Sequence, residues 1–234
     1  MASAETSFAG QLALVTGASH GIGAATALAL GAAGAHVILT GRDTKALESI
    51  EDIIHNAGGS ATIAPLDLNE PDAIARLATA IAGRWSALDI MVLSAAHFPQ
   101  LTSVADIDQA HFTKTLTTNV LATQALLARF DRLLRASKNG RIIGLTSSVA
   151  AAPRAFWGAY GASKAAFEAL LDCYAAEVKT WPLCGSPWSI RGPPAPRCGP
   201  KPIRAKTPPA SNLPNWWQNG SSPSLPRIFP PPPG

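Results

Sequence analysis

From Gln11 to Thr180 the chain alternates short apolar runs with longer stretches of helical spacing. "QLALVT" is apolar at nearly every position, as a strand covered on both faces must be. "GIGAATALALGAAG" follows and reads as a helix of small residues. "AHVILT" predicts a second strand and "DTKALESIEDIIHNA" a charged amphipathic helix. "SATIAPL" predicts a third strand. "EPDAIARLATAIAGRW" predicts a third helix, with Pro71 in its first turn, where a missing N–H costs little. "LDIMVLSA" is strand four, and a long helix is expected roughly from Asp108 to Arg135. "GRIIGLTS" is strand five, and a last helix is expected from Gly158 to Thr180. β-rich runs alternating with helices imply right-handed crossovers and a parallel sheet. The expected fold is therefore α/β, a Rossmann-type doubly wound sheet. No repeat of fixed period is visible.

After Thr180 the alternation stops. Sixteen of the 20 prolines and four of the six tryptophans fall in residues 181–234. "WPLCGSPWSI" has Pro and Gly where a central strand needs ladder donors, and the chain ends "PPPPG". The expectation is a domain over 1–180 that lacks its last strands, then a disordered Pro-rich tail over 181–234.

Composition adds one distinction. The 234 residues suffice for one sizeable domain with an appendage, and 47% are hydrophobic. The net charge of +4 would suggest a nucleic acid or membrane partner if it were spread over the fold. It is not. Residues 1–180 carry 13 Lys and Arg against all 15 Asp and Glu, while residues 181–234 carry six basic residues and no acid. The basicity belongs to the tail, so no nucleic acid or membrane partner is expected. "MASAETSFAG" has neither a basic nor an apolar leader region. Cys173, Cys184 and Cys198 form no metal-spaced pair. A cytoplasmic setting without a metal is the expectation.

"TGASHGIG", Thr16 to Gly23, joins the first strand to the first helix. Gly17 permits a tight turn, Gly21 a close backbone approach to a pyrophosphate, and Gly23 close packing of helix on sheet. The helix N-terminus offers N–H groups to phosphate. Ser19, His20 and Ile22 are further cofactor contacts, with Ser19 and His20 expected to face a 2′-phosphate of the cofactor. At the end of the second strand Gly41 stands where a carboxylate would hold a ribose 2′-OH, and Arg42 follows. A cation without that carboxylate favours NADP over NAD. The alternative for Arg42 and His20 is a solvated loop position.

"YGASK" puts Tyr160 and Lys164 four residues apart on one helix face. A free phenol titrates near ~10, too high for acid–base work at neutral pH. A nearby ammonium, together with the positive charge of an oxidised nicotinamide, favours the phenolate and lowers that value. Ser147 ends the fifth strand, where ligands bind in such sheets. Its neighbour Ser148 is the alternative hydroxyl.

This ordered set resembles the classical short-chain dehydrogenase/reductase (SDR) family: TGxxxGIG after the first strand, Asn on the long helix, Ser ahead of YxxxK. The resemblance covers about residues 10–180. It implies that Asn119 holds a water in a proton relay to Lys164. It also implies that Ser147 orients the substrate oxygen, and that Asp67 and Leu68 contact adenine. It implies a carbonyl or secondary alcohol substrate, hydride exchange with NADP(H), and a homodimer or homotetramer.

Two departures stand out. The family's NNAG is replaced by Leu93, Ser94, Ala95 and Ala96. Ala95 remains a cofactor contact, while the Ala96 methyl narrows the approach and weakens binding. The family's sixth strand and its Pro-Gly turn have no recognisable counterpart, which leaves strand five an open edge. The loss of acids and rise of Pro near Thr180 suggest a reading-frame change there. A truncated product of little activity, or a non-catalytic nucleotide-binding protein with a polyproline docking tail, are the alternatives to an enzyme.

Overall fold

The computed structural model describes residues 8–180 and 201–206. Six parallel strands form one sheet in the order β3-β2-β1-β4-β5-β6. They are β1 (Leu12–Thr16), β2 (His36–Gly41), β3 (Ser60–Pro65), β4 (Ile90–Leu93), β5 (Arg141–Thr146) and β6 (Lys201–Lys206). The chain starts at β1, winds outward to β3, then crosses back to β4. The switch of direction between β1 and β4 opens a crevice at their carboxyl ends, the ligand-binding position of a doubly wound sheet.

The helices are α1 (Gly21–Ala32), α2 (Thr44–Asn56), α3 (Ala73–Ala82), α4 (Gln109–Leu116), α5 (Ala122–Ala136), α6 (Ser148–Ala151) and α7 (Gly158–Thr180). Side chains alternate along β1 to β5, so these strands feed two cores. Leu12, Leu14, Met91, Leu93 and Ile142 face α3, α5 and α7, where Phe130 and Leu171 are buried. Ala13, Val15, Val37, Leu39 and Val92 face α1 and α2, against Leu30, Leu47 and Ile54. This is why the two central strands, β1 and β4, carry no polar residue except Thr16. On the α1/α2 side Ile143 and Leu145 of β5 are only partly buried.

Three expectations are adjusted. Pro71 lies ahead of α3 rather than in its first turn; Asp72, at φ 58°, precedes the helix. The long helix is one run broken by a π turn, Thr117–Leu121, between α4 and α5. β5 is not the open edge of the sheet. β6 pairs with it along its whole length, from Arg141 opposite Lys201 to Thr146 opposite Lys206. A ladder needs extended backbone, not apolar side chains. An edge strand tolerates a proline such as Pro202 because only one of its sides must donate. Apart from β6, the expectations of a disordered tail and of a reading-frame change fall on residues outside those described. Among the described residues no helix is long and apolar enough to cross a membrane.

Candidate active site

A cleft of about 450 Å³ lies over the carboxyl ends of β1, β2 and β4. Its floor is the loop from β1 to α1. Gly17 has φ 66°, and a Cβ there would sit 2.9 Å from Ala95 Cα. A Cβ on Gly23 would come 2.1 Å from the Gly17 carbonyl oxygen, so α1 starts against this loop only because position 23 is glycine. Gly21 opens α1 at φ 57°. No side chain caps this helix end and its first turn carries no acid. A phosphate would find free N–H groups and the positive end of the helix dipole there.

Thr16 ties this loop to the next wall. Its hydroxyl donates to Val92 O (3.2 Å) and accepts from the N–H groups of Ser94 (3.1 Å) and Ala95 (3.2 Å). The loop is also fixed to β2, as Ala18 N donates to Thr40 O (2.9 Å). Nothing in the sequence reading singled out Thr16; the signal was a hydroxyl at the last strand position before the glycines.

Of the cofactor contacts expected, Gly17, Ser19, His20, Ile22, Arg42, Asp67, Leu68 and Ala95 all line the cleft. Gly21 and Gly23, at the start of α1, do not line it. Gly41 brings the backbone of β2 close to Ser19, whose Oγ would be 3.3 Å from a Cβ at position 41. The nearest carboxylate in sequence, Asp43, caps α2 through Oδ1, which accepts from Ala46 N (3.1 Å), while its Oδ2 lies 4.0 Å from Nε2 of His20. Asp67 Oδ1 accepts both the backbone and side-chain N–H of Asn69 (2.9 Å each), and Asn69 in turn accepts from Thr118 Oγ1 (3.0 Å). Lys114 and His97 also line the cleft and were not expected. Burial first, then the positive charges of Lys114, His111 and Arg42, push the His97 imidazole below its ordinary value. Cations thus converge on this wall, where an anionic ligand gains most. The open α1 terminus, the glycine cradle and this positive wall fit a dinucleotide.

Tyr160 and Lys164 reach the same cleft from α7. Lys164 Nζ lies 5.9 Å from the Tyr160 ring centre and donates to Leu145 O at the end of β5 (2.8 Å). Burial pushes this ammonium down to about 8. Burial also pushes the Tyr160 phenol up. The lowering expected of Tyr160 is therefore not seen among the chain's own groups, because desolvation outweighs a partly desolvated ammonium that points to a carbonyl.

Ser147 and Asn119 stand outside the cleft wall. Ser147 precedes α6, with its Oγ 3.5 Å from the Val149 N–H; Ser148 is exposed. α6 packs on α7 where Gly161 has no side chain, and a Cβ there would meet Val149 O at 3.4 Å. Asn119, 1% exposed, sits in the π turn. Its Oδ1 accepts from His97 N (2.6 Å); its Nδ2 donates to His97 O (3.0 Å) and Ser163 Oγ (2.9 Å). Ser163 Oγ donates to Tyr160 O (2.8 Å). The Asn119 amide thus braces the loop after β4 against α7. The Asn119 backbone carbonyl accepts from Thr123 Oγ1 (3.0 Å). Among the described residues no cluster of His, Cys, Asp or Glu could hold a metal.

Known proteins are similar to this chain in sequence and fold. Residues 11–183 match the short chain dehydrogenase family. A fatty acyl-CoA reductase of Acinetobacter baylyi is 35% identical over 170 residues, 72% of this chain and 58% of that protein. A versicolorin reductase of Emericella nidulans is 34% identical over 172 residues, 72% of this chain and 63% of that one. The chain thus spans roughly three-fifths of the length of these curated relatives. Among solved structures, a metagenomic short-chain oxidoreductase in complex with NADP superposes with a TM-score of 0.70 and 37% identity. That match covers 74% of this chain and 78% of the other. The oxidoreductase yciK from E. coli gives 0.72 and 31%, covering 74% and 72%. With the glycine loop, the Tyr160–Lys164 pair and this extent of likeness on one sheet, the chain belongs to the short chain dehydrogenase family.

Proposed function

We propose that this chain is an NADP(H)-dependent oxidoreductase that interconverts a carbonyl group and a secondary alcohol. The observation that carries this is the placement of the Tyr160 phenol and the Lys164 ammonium on one helix, in the cleft that the glycine loop floors. When bound, NADP(H) supplies a hydride in one direction and takes it up in the other.

Tyr160 moves the matching proton. A phenol held above its ordinary value is fully protonated at neutral pH and gives its proton to a carbonyl oxygen during reduction. Lys164, fixed by Leu145 O, holds positive charge beside the phenolate as it forms. The family resemblance supports Ser147, just after β5, as the residue that orients the reacting oxygen. Asn119 acts as a positioning residue, because its amide holds His97 and, through Ser163, the first turn of α7.

The preference for NADP rests on Arg42, on Gly41 in place of a carboxylate, and on Asp43 being engaged at α2. The solved NADP complex of a relative supports it. Gly17, Ser19, His20 and Ile22 would hold the phosphates, and Asp67, Leu68 and Ala95 the adenosine side. The family resemblance also supports pairing of chains through α5 and α7.

The test is direct. The purified chain should bind NADPH more tightly than NADH and reduce members of a carbonyl panel. Tyr160→Phe should keep NADPH binding and lose reduction. Reduction that survives Tyr160→Phe refutes the acid–base role; cofactor binding without turnover on any carbonyl favours a non-catalytic nucleotide-binding protein.

A further inference from the structure

An apolar ledge borders the Tyr160 end of the cleft and takes no part in the dinucleotide cradle. Phe98, in the loop after β4, packs edge to face on Tyr160 (ring centres 4.8 Å apart) and on Trp157 (5.5 Å). It remains 54% exposed. Leu101 and Val104 on the same loop, and Phe156 ahead of α7, are exposed too. These four are most of the six exposed large hydrophobic residues among those described. Apolar exposure concentrated in one place, beside a reactive phenol, marks a ligand surface.

The ledge is built, not loose. Thr102 N donates to Phe156 O (3.2 Å), and Thr102 pairs with Trp157 in an isolated bridge. Val104 packs where Gly158 leaves room, since a Cβ there would sit 2.9 Å from Val104 Cγ2. Phe156 is held at φ 69°, a conformation a bulky residue keeps only when its surroundings impose it.

We propose that this ledge seats the substrate body, that the body is an aryl group on the reacting carbonyl carbon, and that Phe98 is the specificity-determining residue. The inference rests on the oxidoreductase reading of Tyr160. Phe98 touches Tyr160 itself, so the substrate group it meets is the one next to the reacting carbon rather than a distant tail. Phe98, Trp157 and Tyr160 already stand at aromatic spacing, with centres 4.8 to 6.3 Å apart. A further ring can join them in the offset or edge-to-face geometry that aromatic pairs prefer. Phe98, Leu101, Val104, Phe156 and Trp157 carry no charge, so a carboxylate or phosphate beside the carbonyl finds no ionic partner on them.

Acetophenone and cyclohexyl methyl ketone share the carbonyl and differ in the π system. Their affinities for the chain saturated with NADP+ can be compared by saturation-transfer NMR titration. Acetophenone should bind about twofold to tenfold more tightly. Phe98→Leu, which keeps apolar bulk without a ring, should remove the preference and leave NADP+ affinity unchanged. Phe98→Tyr should retain the preference. Equal affinities in the native chain, binding of neither ketone, or a preference that survives Phe98→Leu overturns the inference. A preference in binding without reduction by NADPH leaves the ledge assignment standing and sinks the oxidoreductase reading. Reduction of both ketones with equal affinities does the reverse.

Discussion

Lys164 costs the fold stability, and the cost depends on pH. The residue is 3% exposed, and burial lowers its ammonium from 10.5 to about 8. At about 1.4 kcal/mol per pH unit, keeping it charged in the folded chain costs about 3 kcal/mol. The folded value lies below the unfolded one. Below pH 8 both states hold the proton and the penalty is fully present. Between about 8 and 10.5 the unfolded chain binds more protons, so stability rises with pH and the penalty fades. Lys164→Met keeps an unbranched apolar stem and carries no proton, so it lacks this dependence. Urea unfolding followed by far-UV circular dichroism at pH 6.5 and 9.5 gives the comparison, with every other titrating group common to both proteins. The native chain should gain about 2 kcal/mol relative to Lys164→Met between those pH values. A difference between the two proteins that stays constant from pH 6.5 to 9.5 refutes the claim that Lys164 is buried as a strained ammonium.

Gly23→Ala forces a methyl onto the Gly17 carbonyl oxygen, 2.1 Å away, and displaces the phosphate loop; calorimetry should show at least about a tenfold loss of NADPH affinity, and unchanged affinity contradicts the role of that contact. Arg42→Ala should lower the NADPH-over-NADH affinity ratio by about tenfold while leaving NADH binding alone; a loss equal for both cofactors means Arg42 does not meet a 2′-phosphate. Asn119→Ala strands the His97 N–H and C=O and should cost about 2 kcal/mol in chemical unfolding. A cost near zero means the amide is no brace. Ala96→Gly should tighten NADPH binding by opening the approach to the cleft; unchanged or weaker binding shows that the methyl is not in the way.

The fold up to Thr180 was legible because two periods agree along the chain. Leu12 and Leu14 face one core while Ala13 and Val15 face the other, and that is what an uninterrupted apolar strand says about its surroundings. The glycine loop was legible because each glycine answers a separate backbone demand. β6 was not. Its pairing with β5 is a backbone ladder, and "KPIRAK" carries no apolar run from which a strand is read. The π turn was equally silent, since one extra residue in a helical turn leaves no mark on composition. Tyr160 and Lys164 were visible from their spacing, but the rise of the phenol was not. It depends on how deeply α7 is packed, which four residues of separation do not reveal. Phe98 and Trp157 lie 59 residues apart in sequence and meet only because Thr102 pairs with Trp157.

The Thr16 hydroxyl has a mechanical consequence. One oxygen anchors the strand that carries the glycine loop and, at the same time, two successive amides of the loop opposite. The floor of the cleft and the Ala95 wall therefore behave as a single rigid corner. Displacing one side alone would break hydrogen bonds to the other. Lys114 on α4 and Arg42 after β2 line the cleft as well. A molecule entering the cleft would meet a corner whose two sides are joined through one oxygen, with the positive side chains of Lys114 and Arg42 also lining the space.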